Sequence, residues 1–308
     1  HDDTPPTLYL RWREDGKLIE KTVDGYKPHM YIPVSTPEFR LKNLKRSFPA
    51  SKVRKDKTYE GLDGATLWRI ETDNPYEIVQ MKNMFSKTYE GDMRFIDQYL
   101  VENVTNMPQW KPRKWWYDIE CNTGDDKFTT VIAVIDSDLD TPVVFAWADE
   151  RTNCPHETPP ESVTKRRKVR DTEYRLRLFQ SEKAMYDGFI EFLQARDPDM
   201  MIAHAGTFFD IPHMIERLDK IYGHGGAAKL SPLGIIRYPK KGDRYRFDDQ
   251  PIAGRWQFDT AAPATSGTGF ERVWKDSGGG QLPNRKLNTI AETLGLGSKL
   301  TEEIEGMD

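Results

Sequence analysis

The chain has 308 residues, a formal net charge of −4 and only two cysteines, and 31% of its residues are charged. The length allows two domains and the many aromatic residues predict a globular core, whereas the low cysteine count excludes a disulfide framework or a zinc cage. The longest apolar runs have the length of strands, so no membrane span or secretory leader is expected, and the negative charge argues against a protein that coats nucleic acid in general.

The first hundred residues predict a small α+β domain. A hairpin is expected over residues 8–13 and 17–23, because Asp15-Gly16 between them is a two-residue turn signal. A helix is expected over residues 74–85, with Asn74 as its N-cap. The other elements expected in this region are a strand over residues 29–34, a helix over 37–48 and a strand over 66–71.

The segment 103–114 is rich in proline and polar residues, so it predicts a connection between domains at residues 1–105 and 106–308. After it, short strands are expected over residues 115–121, 129–135 and 142–148, a polar loop over 149–171, a helix from Ser181 to residue 196, a strand over 199–204 and a helix that begins near Asp210. Strands followed by helix, strand and helix predict an α/β domain with a mixed sheet, as in a ribonuclease-H-like nuclease core.

Two carboxylates occur in the strand predicted over residues 115–121. Side chains alternate along a strand, so Asp118 and Glu120 are expected on the same face. Anions held side by side repel each other, and such pairs usually serve to hold a cation. The alternative is an exposed edge strand with a charged face. Asp210 alone is more typical of a helix cap, but the three carboxylates together in one α/β domain favour a metal site.

These motifs resemble the N-terminal domain and the 3′→5′ exonuclease domain of family B DNA polymerases. Asp118-Ile119-Glu120 is similar to the first exonuclease motif, and residues 197–202 leading into 209–212 are similar to the second. Three further similar segments follow in the same order, at residues 230–234, 254–259 and 286–292. Over residues 1–105 the similarity is loose and rests on position and strand pattern.

The resemblance implies a proofreading nuclease that removes mispaired nucleotides from the 3′ ends of single-stranded primer DNA. Its cofactors are implied to be two Mg²⁺ or Mn²⁺ ions lying ~4 Å apart, one activating water and the other stabilising the departing 3′ oxygen. Asp118 is expected to bridge the ions, Glu120 to hold the ion beside the water, and Asp210 to bind the second ion.

The nucleic-acid contacts implied by the resemblance involve four residues. Phe208 and Phe209 are expected to stack on a terminal base, and His204 and Arg255 to contact the strand. The alternatives are core packing for the two rings and a structural hydrogen bond for His204.

Two basic runs offer phosphate contacts, one at residues 165–170 and the other formed by Lys240, Lys241, Arg244 and Arg246. Such runs are as often solvated surface loops. Residues 165–168 also resemble a nuclear import patch.

Two departures from the family pattern stand out. Ala205 occupies the position, five residues before Asp210, where family members usually carry Asn. The third exonuclease motif, Tyr-x-x-x-Asp on a later helix, does not occur after residue 296. We therefore hypothesise that the chain is a fragment that lacks this motif and the polymerase module.

The partners implied by the resemblance are single-stranded and primer-template DNA, the polymerase module of the same protein and, through that module, a sliding clamp. A cytoplasmic location, in a nucleoid or in a virus-infected host cell, is expected, with the nucleus as an open alternative and without a membrane partner. Two other interpretations stay open: a non-catalytic lobe that binds single-stranded nucleic acid, and a stand-alone ribonuclease-H-like nuclease. The second does not account for the segments at residues 230–234 and 254–259.

Overall fold

A computed structural model describes residues 6–105, 111–122, 126–147, 162–169, 172–240, 242–246, 249–261, 284 and 286–297 of the chain. The chain forms two compact units, His1–Lys111 and Pro112–Asp308, whereas the sequence placed the boundary after residue 105. Within the described ranges, no helix has the length and apolar character needed to cross a membrane.

The first unit begins with the predicted hairpin. Strand β1 (Leu8–Glu14) pairs antiparallel with β2 (Lys17–Val23). Both turn residues have positive φ angles, 49° at Asp15 and 77° at Gly16. A two-residue hairpin turn of this kind twists in the same sense as its strands, which is why Asp-Gly is favoured there. The hairpin prediction is confirmed.

The rest of this unit is a three-stranded antiparallel sheet with helices. Its elements are β3 (His29–Pro33), α1 (Glu38–Ser47), β4 (Lys52–Glu60), β5 (Thr66–Glu71), α2 (Pro75–Lys82) and α3 (Phe95–Asn103), and the strand order is β3-β5-β4. Asn74 caps α2 as predicted, accepting the Tyr76 N–H at 3.0 Å. The helix ends at Lys82, before the predicted Phe85. Neither β4 nor α3 was predicted, and β4 carries too few apolar residues to show a strand pattern.

The second unit is built on a mixed seven-stranded sheet. Its strands are β6 (Lys114–Cys121), β7 (Thr129–Asp136), β8 (Val143–Trp147), β9 (Ser162–Val169), β10 (Thr172–Phe179), β11 (Met200–Ala203) and β12 (Trp256–Asp259), in the order β12-β11-β6-β7-β8-β10-β9. Among the described residues of this unit the helices are α4 (Glu182–Arg196), α5 (Asp210–Tyr222) and α6 (Leu287–Thr293), with a 3₁₀ turn at Gly226–Leu230. The predicted α/β class with a mixed sheet, preceded by a smaller sheet domain, is confirmed.

The predicted loop over residues 149–171 is wrong where the structure describes it. Residues 162–169 form β9, which pairs antiparallel with the unpredicted strand β10. The sequence of β9 is strongly basic and lacks apolar alternation, so it carries no strand signal. The strand forms because its backbone completes the ladder at the edge of the sheet, where charged side chains are tolerated and discourage further pairing.

The helices cover one face of this sheet and thereby orient β6. Trp115, Tyr117 and Ile119 are buried in one core with the inner residues of α4 and α5, which include Phe189, Phe192, Leu193, Ile211, Met214 and Leu218. Ser181 caps α4 as predicted, accepting the Ala184 N–H at 3.1 Å. Because the strand repeats every two residues, burial of this face leaves Asp118 and Glu120 exposed on the other.

Candidate functional site

A gap beside β6 brings the second-motif carboxylate to the first. Strand β11 pairs with β6 only as far as Trp116. Beyond that point the chain leaves the sheet, and α5 begins at Asp210. The Ile119 N–H, which has no β11 partner, faces the Asp210 carboxylate closely enough to lower its pKa. Asp210 therefore lies at the edge of β6, next to the residue that separates Asp118 from Glu120.

The three carboxylates interact electrostatically. Asp210 is 2% exposed, and its pKa is raised from 3.8 to about 7. Burial is the largest cause, followed by the negative charges of Asp118, Asp259 and Glu120. Asp210 does not cap its own helix, because the N-cap position is Phe209 and no side-chain cap bond is made there. At neutral pH the cluster is therefore an unfavourable concentration of negative charge that a cation would relieve.

The donor set fits a hard divalent cation, because all of its donors are carboxylate oxygens. Across the described residues, no group of three or more His, Cys, Asp or Glu side chains is already arranged around a metal position. Asp118 and Glu120 are exposed and free to change rotamer, so they can turn toward the buried Asp210. These three side chains are the ones that would hold the ions.

The turn before α5 is closely packed against β6. A Cβ atom on Gly206 would lie 2.7 Å from the Ala203 Cβ, 3.2 Å from the Tyr117 hydroxyl and 3.6 Å from the Asp210 Oδ2, so no larger residue fits there. Burial, together with the charges of Asp210, Asp259 and Asp118, raises the pKa of Tyr117 well above its usual range. Tyr117 therefore presents a protonated hydroxyl beside the carboxylates. The sequence did not indicate this role, because Tyr117 lies on the buried face of β6, where an aromatic residue is expected to pack in the core.

The residues predicted to contact nucleic acid fall into two groups. Phe208 and Phe209 are 45% and 47% exposed, so the core-packing alternative is wrong for both rings. The Phe209 ring stacks on His213, with ring centroids 5.9 Å apart. The His204 Nδ1 lies 3.0 Å from the Thr260 Oγ1, which is the structural hydrogen bond that the sequence left as an alternative.

Arg255 is buried, which contradicts the DNA contact predicted for it. It is 5% exposed, and its guanidinium donates to the Asp197 carboxylate at 2.8 Å and to the Leu230 carbonyl at 3.0 Å. A third bond reaches the Pro198 carbonyl at 2.6 Å. A guanidinium that is buried and already paired is not available to a DNA strand. The expected DNA contact of Arg255 is therefore replaced by a structural role.

Ala205 has a backbone conformation that alanine adopts at a cost. Its φ angle is 64°, in the left-handed region that favours glycine and asparagine. We expect Ala205→Gly to raise the free energy of unfolding by about 1 kcal/mol, because glycine removes the strain. The control is Ala195→Gly inside α4, which is expected to lower it by about the same amount. Urea denaturation measures both, and a loss of stability in Ala205→Gly would contradict this account.

Asp259 belongs to the site but received no role from the sequence. It ends strand β12 and is 3% exposed. Its charge is among those that raise the pKa of Asp210. Its position at the end of a strand could have indicated a role in the site. Asp259 pairs with Ala203 at the end of β11, so it lies at the same edge of the sheet as the turn before α5.

The two basic runs lie in different places. Arg166 and Arg167, from the first run, are exposed on the edge strand β9. The register of the sheet shows how far the first run lies from the carboxylates. Successive pairs lead across the strands from Asp118 to position 165 on β9, through Ala133, Val144 and Leu176. Paired positions share a face and side chains alternate along a strand, so Arg167 lies on the face of Asp118 and Arg166 on the opposite face. Four strand spacings correspond to ~19 Å. In the second run, Lys240 and Arg244 are also exposed, whereas Lys241 lies outside the described residues.

Comparison with known proteins agrees with these observations. A sequence profile of the exonuclease domain of DNA polymerase family B matches residues 102–268, more than half of the chain. The chain is 21% identical over 239 residues to a DNA polymerase of Thermococcus litoralis, covering 71% of this chain and 13% of that protein. It is 20% identical over 274 residues to a DNA polymerase of Pyrococcus glycovorans, covering 80% of this chain and 32% of that protein. The chain thus spans less than half the length of these relatives.

Proposed function

The chain belongs to the family of exonuclease domains of family B DNA polymerases, and on this premise we propose that it hydrolyses single-stranded DNA from the 3′ end. The proposal includes the two-metal chemistry and the proofreading role. The observation that supports it most directly is the position of Asp210 beside β6, where burial, together with the charges of Asp118 and Glu120, raises its pKa to about 7. Carboxylates so placed on a stable sheet are typical of a metal-dependent hydrolytic site.

Asp118, Glu120 and Asp210 would together hold Mg²⁺ or Mn²⁺. When bound, such ions activate water and stabilise the departing 3′ oxygen. The residues of the chain supply the surroundings of this chemistry. The Ile119 N–H and the protonated Tyr117 hydroxyl offer hydrogen-bond donors beside the Asp210 carboxylate.

DNA would approach from the side of Phe208 and Phe209. These exposed rings directly precede Asp210 and present faces on which bases can stack without sequence preference. The exposed cation Arg167, on the face of the sheet that carries Asp118, would bind a phosphate farther along the strand, which gives binding a dependence on salt.

The stacking role predicts a loss of affinity when the rings are removed. The double variant Phe208→Ala, Phe209→Ala is expected to weaken binding of a single-stranded oligonucleotide by ~1–3 kcal/mol for each base that loses its stacking partner. Fluorescence anisotropy in Ca²⁺ measures this. Phe39→Ala, which removes a similarly exposed ring from α1, is the control and should bind normally. Equal affinities of the double variant and the control would exclude stacking.

The proposed activity is tested on a 5′-labelled single-stranded oligonucleotide with Mg²⁺, with Mn²⁺ and with EDTA. We expect a ladder of products shortened from the 3′ end that depends on the divalent ion. Internal cleavage would instead support an unrelated ribonuclease-H-like nuclease. No cleavage, with binding that persists in EDTA, would support the second candidate function described next.

The second candidate function is a non-catalytic lobe that binds single-stranded nucleic acid. It is favoured by the lack of a preassembled metal position among the described residues and by Ala205, which stands where family members usually carry Asn. Polymerase activity, primer-template DNA as substrate, the polymerase module and a sliding clamp as partners, and an intracellular location are proposals for the longer protein that its relatives suggest.

A further inference from the structure

Asp259 binds the backbone of the turn that leads into α5. Its Oδ1 accepts the Ala205 N–H at 2.9 Å and its Oδ2 accepts the Thr207 N–H at 3.0 Å. The Oδ1 also accepts the Ala261 N–H, at 2.9 Å, which fixes the end of its own strand. One carboxylate thus joins the turn to the sheet through three backbone donors.

The two turn donors lie at the strained residue and just after it. One is the N–H of Ala205 itself, whose φ angle is 64°, and the other is the N–H of Thr207, two residues later. Successive N–H groups around a left-handed residue converge into a concavity that binds an anion. The Asp259 carboxylate is that anion here, so its bonds help to keep Ala205 in a conformation that alanine otherwise avoids.

The conformation of Ala205 in turn determines where α5 begins. The Ala205 carbonyl accepts the N–H groups of Phe208, at 3.0 Å, and Phe209, at 2.9 Å. The Gly206 carbonyl accepts the Ile211 N–H at 2.9 Å, which closes the first turn of the helix. A change of backbone at Ala205 would therefore move Asp210, which lies between Phe209 and Ile211, two of the residues held by these bonds.

From these contacts we infer that Asp259 is a positioning residue, which holds the turn at Ala205 so that Asp210 faces Asp118 and Glu120. The inference rests on the proposed function only for its consequence in catalysis. Asp259 is not itself a metal ligand, because both of its oxygens already accept backbone hydrogen bonds.

The test uses Asp259→Asn, whose side chain keeps the size but offers only one acceptor oxygen to three donors. We expect kcat to fall ~10²-fold, the penalty typical of a misplacement of about 1 Å. The Mn²⁺ concentration at half-maximal activity is expected to rise ~10-fold, as when residues that support metal ligands are removed. The KM for DNA is expected to change less than twofold, since no DNA contact is lost.

A matched control separates positioning from general loss of stability. Asp136 is also 3% exposed and is also bonded through its carboxylate, to the Trp115 Nε1 at 2.9 Å and to the Asp138 N–H at 2.8 Å. Asp136→Asn should lower the melting temperature but leave kcat and the Mn²⁺ requirement unchanged. Equal kinetic losses in the two variants would overturn the inference.

A second substitution that restores kcat to Asp259→Asn would show that Asp259 acts on the turn, because a general loss of stability would not be reversed in this way. If Asp259 acts by holding Ala205 in the left-handed region, the double variant Ala205→Gly, Asp259→Asn should have a kcat at least tenfold higher than that of Asp259→Asn alone. The reason is that glycine adopts this region without strain. Absence of rescue, with both variants folded, contradicts the mechanism.

The inference is also measurable without catalysis. The Ala205 and Thr207 amides of the unmodified chain should exchange with solvent far more slowly than amides of exposed turns. Rapid exchange of both amides would overturn the inference even if Asp259→Asn fails to fold. If the unmodified chain cleaves no DNA, the proposed function fails. The positioning role is then decided by these exchange rates and by calorimetry of Mn²⁺ binding to the two variants.

Discussion

Asp210→Asn should raise the free energy of unfolding of the metal-free chain by about 3 kcal/mol at pH 8. The Asp210 side chain is buried, and its pKa is raised from 3.8 to about 7, so ionising it in the folded state costs about 4 kcal/mol. The neutral amide avoids this cost and can still accept the Ile119 N–H. Urea denaturation in EDTA measures the difference.

The stability difference between the original protein and Asp210→Asn should grow as the pH rises. Below pH 3.8 the carboxyl is protonated in both the folded and the unfolded chain, so the original protein and Asp210→Asn should differ least there. Between 3.8 and about 7 only the unfolded chain releases this proton, so the original protein loses stability relative to the variant. Above this range the difference is constant.

Asp136→Asn is the control for this experiment, because the charge of Asp136 is favourable in the folded chain whereas that of Asp210 is unfavourable. Although burial raises the pKa of Asp136, hydrogen bonds from Arg196, the Asp138 N–H and Trp115 lower it below its usual value. The variant should therefore lose stability at pH 8. Adding Mg²⁺ should stabilise the original protein more than Asp210→Asn. If Asp210→Asn is no more stable than the original protein at pH 8 in EDTA, the carboxylate cluster does not carry the repulsion described.

Asp118→Ala should lower the rate of metal-dependent hydrolysis on the order of 10³-fold or more. The stabilisation that a bound ion gives to developing charge amounts to several kcal/mol, and each 1.36 kcal/mol corresponds to about a tenfold change in rate. The proposed role of Asp118 as the ligand shared by both ions makes it the residue whose loss matters most. Release of mononucleotides from a labelled oligonucleotide measures the rate.

The same variant has a second consequence that separates a metal ligand from a merely important residue. Removing the Asp118 charge lessens the repulsion on Asp210, so the metal-free chain should become more stable while Mn²⁺ binding is lost in calorimetry. Glu191→Gln, which removes an exposed carboxylate from α4, should change neither measurement. An Asp118→Ala variant that keeps more than a tenth of the activity would falsify the proposed ligand role.

The sequence by itself determined the features that depend on neighbouring residues. The two-residue repeat of a strand was sufficient to place Asp118 and Glu120 on one face of β6, and the structure has them there. The hairpin at Asp15-Gly16 and the cap at Ser181 likewise follow from the conformational preferences of a few adjacent residues. The family resemblance came from ordered motifs and is confirmed by the match over residues 102–268.

Only the tertiary structure decided which distant groups meet. Asp210 reaches the first motif because β11 stops pairing at Trp116 and leaves the Ile119 N–H for its carboxylate. Arg255 is buried against Asp197, and the basic run that was predicted to be a loop became the edge strand β9. Local periodicity carries no information about these outcomes. The positions of Asp210 and Arg255 depend on partners far away in the chain, and β9 depends on the sheet edge that its neighbour β10 provides. An unpaired buried charge or an unpaired backbone group is too costly for the fold to leave without a partner.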